Sequence, residues 1–314
     1  MKLHELEAVV YGAMVKKLKD FKTLTGRKKA AKISPKLAAK RLLLFLVLAF
    51  GISWIPALIL NRVFGYHAWF ETNRMPLFAL PVLYAPALAN VLTRKLTHEG
   101  WEHSLLRLRL KGNLKYYLTS LLLVSALSLP SGALAVLISG GDWGTNGLTG
   151  TELTSTLLIT FATAPLLGFL TFGEEFGWRG YMNQKLECLL GTTGTVLAGG
   201  ILWGLWHAVL TVQGHNFGTE YPGFPYVGIG AMCLLCIANG SILMWLTKKT
   251  NSIYPAAILH AMFNYGGVLP GQLLSGKVQA LTIPQQLLCQ IPLYVAGLVC
   301  LLLMVHAKRQ NATK

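Results

Sequence analysis

Long apolar runs alternate with short polar ones along most of this chain. Eight of these runs approach the ~20 residues that cross a bilayer as a helix. They fall at about 42–60, 76–93, 116–138, 153–173, 192–212, 224–246, 253–269 and 283–305. The second and seventh are short, and the fourth runs directly into polar residues. The pattern predicts an all-α polytopic membrane protein with about eight transmembrane helices. The first run reads as a span rather than a secretory signal, because the 41 residues before it are polar and basic.

The same pattern divides the chain into a basic, partly amphipathic tail at 1–41, helices one to three at 42–152 with a basic linker at 94–115, a core at 153–270, and a last helix with its tail at 271–314. In the first tail Leu3, Leu6, Val10, Ala13, Leu18, Phe21 and Leu24 recur between lysines. That spacing fits a helix lying on an anionic inner leaflet, and it fits a solvated tail equally well. No internal repeat of the inverted type found in transporters is visible.

Composition supports the membrane reading. The chain of 314 residues is 53% hydrophobic and 13% charged, with mean hydropathy +0.50, whereas a soluble domain carries roughly a quarter charged residues. A net charge of +16 raises the question of nucleic acid. Its distribution answers otherwise: with the N-terminus inside, 25 of 28 Lys and Arg fall in cytoplasmic segments, as the positive-inside rule requires. The charge is topological, both termini are expected in the cytoplasm, and no nucleic-acid partner is implied. Five cysteines give no disulfide framework; Cys233-Leu-Leu-Cys236 has metal-ligand spacing but lies in mid-span without a second pair.

Ionisable residues inside a bilayer are costly unless paired or facing water, and so mark function by default. Three short motifs qualify. In Glu174-Glu175-x-x-x-Arg179 the second carboxylate and the arginine are four apart and share a helical face, so they can pair. Glu174 lies about 100° around the helix and can point elsewhere. In Trp203-Gly-Leu-Trp-His207 an imidazole sits in the middle of a span, and in His260-Ala-Met-Phe-Asn264 an imidazole and a carboxamide share a face. The midpoint between Glu174 and His207 falls at Leu190-Gly191. A helical hairpin turning there would set the two at equal depth, about 24 Å from the turn at 1.5 Å per residue. His260 would lie roughly 14 Å from a second turn near Asn251 by the same rise. If the first hairpin projects about 10 Å further out, the difference between these two depths, the motifs meet in an intramembrane catalytic cavity open to the cytoplasm.

A carboxylate beside two imidazoles and a carboxamide can activate water for hydrolysis. Glu174 would act as the base, His207 would orient the water, and His260 with Asn264 would hold the oxyanion. In a second version Glu174, His207 and His260 bind Zn²⁺, although no His-Glu-x-x-His is present. The same buried groups would also serve a proton- or ion-coupled transporter, or a helix end held by a salt bridge. A non-catalytic binder of hydrophobic peptides is a third class. His215 and Glu220 read as part of an external loop, outside the site.

EEFGWR, WGLWH and HAMFN, in this order, resemble the three signature motifs of the CPBP (ABI) family of intramembrane proteases, which includes the type II CAAX prenyl endopeptidases. The resemblance covers about residues 153–270. One departure is Trp203, where the family usually has Phe. The resemblance implies an intramembrane endopeptidase, metallo- or glutamate-dependent, with Glu174 catalytic and His207, His260 and Asn264 around its water. Glu175, Arg179 and Trp203 would support them. It further implies a peptide or protein substrate with a membrane-associated segment, prenylated in the CAAX branch. The short loops and modest length point to a prokaryotic cell membrane.

Overall fold

The computed structural model describes residues 33–64, 75–144, 147–265, 271 and 280–312. The amphipathic pattern before residue 33, with its expected anionic-lipid contact, lies outside them. Ten α-helices and one π turn make up the described fold, with no strand among the described residues. They are α1 (Pro35–Phe64), α2 (Met75–Leu96), α3 (Leu114–Ser139), α4 (Gly150–Gly177), α5 (Asn183–Trp206), α6 (Ala208–Thr211), α7 (Tyr226–Thr250), α8 (Tyr254–Tyr265), α9 (Ile283–Cys289) and α10 (Ile291–Ala312). The π turn, Trp178–Met182, joins α4 to α5. Helix α1 begins at Pro35, so the last residues of the basic tail segment are already helical.

Five stretches are long and apolar enough to cross a membrane: Pro35–Val63, Leu114–Ser139, Pro165–Thr211, Tyr226–Thr250 and Ile291–Gln310. The third merges the expected fourth and fifth spans. The expected seventh, 253–269, is described only as α8; its residues 266–269 lie outside the described residues, and α8 is not among the five. The expected second, α2, has 22 residues and also falls outside the set. Large apolar side chains such as Leu43, Val47, Leu137, Leu158 and Leu166 point outward. In a multi-pass membrane protein that surface faces lipid.

Glycines set how closely the helices meet. In α5, Gly200 and Gly204 are four apart and lie against the backbone of α7: a Cβ would come within 2.5 Å of Ile237 Cα at the first and of Cys233 Cα at the second. Only a small residue permits that approach. The same device recurs in α4, where a Cβ on Gly173 would meet Leu83 O at 2.5 Å and one on Gly177 would meet Pro86 Cβ at 2.3 Å. Gly173 and Gly177 bracket the two glutamates, so the face of α4 that packs on α2 is distinct from the one that carries the carboxylates.

Helix α5 is two arms. Gly191, with φ 68° and ψ −174°, breaks it where the hairpin turn was expected. The arms lie side by side, with Gly199 against Asn183 Oδ1 and the Met182 side chain. Around them α1 packs on α2 and α5, α2 on α4, α4 on α8, α8 on α3, and α7 on α10. The centre is aromatic: Phe45, Trp178, Tyr181 and Trp206 are fully buried, with Trp178 edge-on to both Phe45 and Trp206.

Candidate active site

The π turn sets the course of the chain just beyond Glu175. The backbone N–H of Asn183 reaches back five residues to Trp178 O, and that of Trp178 reaches Glu174 O and Glu175 O. This wider winding changes the hydrogen-bonding of nearby carbonyls, and α2 and the 94–115 linker supply donors. Asn90 Nδ2 donates to Phe176 O at 2.7 Å, and Arg94 donates to Asn90 Oδ1 at 2.7 Å and to Gly180 O at 3.4 Å. Single-turn π insertions occur often at functional sites because they re-aim side chains without ending a helix.

Glu174, Glu175, Arg179, Trp203, His207 and His260 are all buried, none more than 5% exposed. Arg179 Nη1 donates to Glu175 Oε1 at 2.9 Å, the expected pair. His260 Nδ1 lies 2.8 Å from the same oxygen. The Arg179 guanidinium stacks on the Trp203 ring, 4.0 Å from its centroid, and His260 meets that ring edge-on at 5.3 Å. Glu175 thus joins the first motif to the third. Nearby, Thr171 Oγ1 donates to Ala257 O at 2.7 Å and fastens α4 to α8.

Glu174 turns away from this pair, as its position on the helix dictates. Trp203 Nε1 donates to Glu174 Oε2 at 2.8 Å, which joins the first motif to the second. Among the described residues Oε1 has no hydrogen-bond partner. His207 ends the second arm of α5, and its Nδ1 lies 2.8 Å from Trp203 O. A carbonyl only accepts, so Nδ1 carries the proton and Nε2 is left as an acceptor. The ring is enclosed by Trp203, Trp206 and His215, with the Cys236 sulfur 4.0 Å from Nδ1.

Six of the seven sequence-derived site residues therefore come together. The seventh, Asn264, is exposed, one helical turn beyond His260 near the end of α8, and bonds no described side chain. His215 is the residue that sequence reasoning left out: its ring lies parallel to that of His207, within 3° and 6.0 Å between centroids. A histidine following Gly214 in a polar loop gave no periodicity to find it by. As for Zn²⁺, no three His, Cys, Asp or Glu side chains converge as ligands among the described residues. The Nδ1 atoms of both imidazoles and Glu174 Oε2 are engaged by protein groups, which leaves both Nε2 atoms and Glu174 Oε1 as the remaining donors. No catalytic step is routed through a metal.

A cavity of about 230 Å³ opens at the end nearer the Gly191 turn, with Arg179, Asn183, Glu187, Lys248 and Asn251 among its walls. It brings solvent-sized space to Arg179. The whole arrangement offers a buried carboxylate with one oxygen unengaged among the described residues, an acceptor imidazole on the far side of the Trp203 that holds it, and a second imidazole held by a carboxylate. Such a set can deprotonate and orient water and stabilise a developing oxyanion.

No curated protein matches the chain. Residues 150–266, which span all three motifs, match the family model described as Rce1-like, type II CAAX prenyl endopeptidase. Through that segment the chain is related to the CPBP-family proteases.

Proposed function

We propose that the chain is a membrane-embedded endopeptidase in which Glu174 activates the attacking water. The observation that carries this reading is the division of labour between adjacent carboxylates. Glu175 is bound to Arg179 and His260, whereas Glu174 is held by one indole N–H on one oxygen. Two like groups held this differently suit two roles.

The water gives one proton to Glu174 and directs its other O–H to His207 Nε2. An oxygen lone pair then adds to the scissile carbonyl carbon. In its doubly protonated form His260 offers Nε2–H to the resulting oxyanion, and the Asn264 carboxamide, one turn away, offers a second donor. As the C–N bond breaks, Glu174 returns its proton to the leaving amine. The second water proton, held toward His207 Nε2, leaves the new carboxylic acid and passes to the amine, so the products are a carboxylate and an ammonium group, and Glu174 is ready again. Arg179 keeps Glu175 in place and so fixes the His260 ring. Because the carboxylate is the base, cleavage persists in a strong chelator; loss of cleavage in chelator, restored by Zn²⁺, would contradict this mechanism.

The substrate is a membrane-associated peptide that enters by the cavity beside Arg179, on the cytoplasmic side. A prenylated C-terminal segment is the class supported by the family match. Both termini face the cytoplasm of a prokaryotic cell. The test is cleavage of matched quenched fluorescent peptides, farnesylated and unmodified, by purified protein in liposomes. Faster cleavage of the farnesylated peptide is expected. Equal rates would remove the prenyl group from the substrate class, and proton-coupled solute uptake without cleavage of either would replace the protease by a transporter.

A further inference from the structure

Between Trp101 and Lys115 the chain carries four basic side chains against one acidic, Glu102. Leucines alternate with cations through the middle, Arg107-Leu108-Arg109-Leu110-Lys111, and all five side chains are exposed. Leu108 is 58% exposed and Leu110 49%. None of the three cations has an ion-pair or hydrogen-bond partner among the described residues. Such a stretch serves neither the core nor a network of ion pairs.

The segment that carries it is fastened at both ends. Before it, Gln184 Nε2 donates to His103 O at 2.9 Å, and Ile253 N–H donates to Leu105 O at 3.1 Å. Leu105 and Leu106 pack against Ala87, Phe176 and Ile253. At the far end Asn113 N–H donates to Leu110 O at 2.9 Å, and Asn113 Nδ2 to Arg109 O at 3.0 Å, just before α3 begins. In between, the backbone N–H groups of residues 107–111 have no acceptor among the described residues.

We propose that residues 107–111 dock on anionic lipid headgroups, with the cations on phosphates and the leucines at the boundary with the acyl chains. The stretch leads into α3, which is long and apolar enough to cross a membrane, so a bilayer surface is what lies beside it. Charge selects the lipid: three unpaired cations in five residues complement anionic headgroups. Leucines between them match an interface that is charged outside and apolar beneath. Trp101, 46% exposed, is of a residue type enriched at that boundary. The surface stands apart from the hydrolytic reading of the site, although His103 and Leu105 also line the cavity beside Arg179.

The test is hydrogen–deuterium exchange of the full chain in nanodiscs of phosphatidylcholine, and of an equal mixture with phosphatidylglycerol. Exchange of the open N–H groups in 107–111 reads local cover. Each basic side chain near an anionic surface is worth about a fivefold shift in population. Three should slow this exchange about 10- to 100-fold in the anionic discs. In Arg107→Gln/Arg109→Gln/Lys111→Gln the rates in the two lipids should agree within about twofold. Wild-type rates that already agree within about twofold overturn the proposal, and so does slowing that persists in the variant. Equal slowing in residues 213–224, before α7, would mark general stabilisation and overturns it as well. If the variant does not fold, salt decides on the wild type. Slowing that fades as salt shortens the reach of the charges is expected, and slowing indifferent to salt overturns the assignment.

Discussion

Two carboxylates in this protein, partly buried Glu99 and fully buried Glu175, have similar surroundings and different degrees of saturation. Each meets basic side chains and stands near an aromatic ring that carries a cation. Glu99, in the turn after α2, has both oxygens engaged: Lys185 on one, and the Tyr181 hydroxyl at 2.8 Å with Arg41 at 3.5 Å on the other. Lys185 and Arg94 lie over the Tyr181 ring. Glu175 receives Arg179 and His260 on a single oxygen, leaving its Oε2 and the Arg179 Nε buried without partners among the described residues. A structural cluster fills its hydrogen-bonding capacity, whereas unsatisfied buried polar atoms in a native fold call for another explanation. Here they lie in the residue that neighbours Glu174 in sequence and in the arginine that holds that residue. The Glu99 cluster holds the linker onto the hairpin, and the Glu175 cluster joins the first motif to the third.

The contrast predicts a graded set of outcomes. Glu175→Gln removes the charge that Arg179 and His260 share. Removing one partner of a buried pair costs about 3–5 kcal/mol, so a large drop in unfolding temperature is expected together with loss of peptide cleavage. Glu99→Gln should cost about 1–3 kcal/mol, as for loss of hydrogen bonds to a charged group, while cleavage stays within a few-fold of wild type. Comparable loss of cleavage in both variants would erase the distinction.

Glu99 also gives a pH signature. Burial alone would raise its carboxyl, but the Lys185 ammonium and the Tyr181 hydroxyl hold it below the usual carboxylate range. A depressed folded-state value contributes stability above the unfolded value of about 4.3 that is lost as pH falls through the folded one. Unfolding temperature measured downward from pH 6 should therefore fall less steeply in Glu99→Gln than in wild type. The smallest stability effect belongs to exposed Asn264: Asn264→Ala should stay within about 0.5 kcal/mol of wild type and yet lower kcat about 10- to 100-fold if its carboxamide holds the oxyanion.

Local spacing made a good part of the site legible. Four-residue separation gave the Glu175–Arg179 pair, and a midpoint count located the Gly191 turn that brings the second motif back beside the first. What spacing did not give depends on contacts distant in sequence. The π turn at Trp178–Met182 is sustained by Asn90 and Arg94, some 86 residues earlier, and nothing local announces it. Gly173 and Gly177 were hidden by the carboxylates they bracket, although their separation is the same as that of Gly200 and Gly204. His215 joined the site through a turn of left-handed residues, which carries no periodic signal.

The most direct measurement is the cleavage rate of Glu174→Gln against wild type, with unfolding temperatures recorded on the same preparations. The substitution keeps an oxygen to accept the Trp203 indole hydrogen and removes the basic carboxylate. The account predicts a fall in kcat of about 10²- to 10⁴-fold, the usual contribution of a general base, with little change in unfolding temperature. A folded Glu174→Gln protein that cleaves within about twofold of wild type would contradict it.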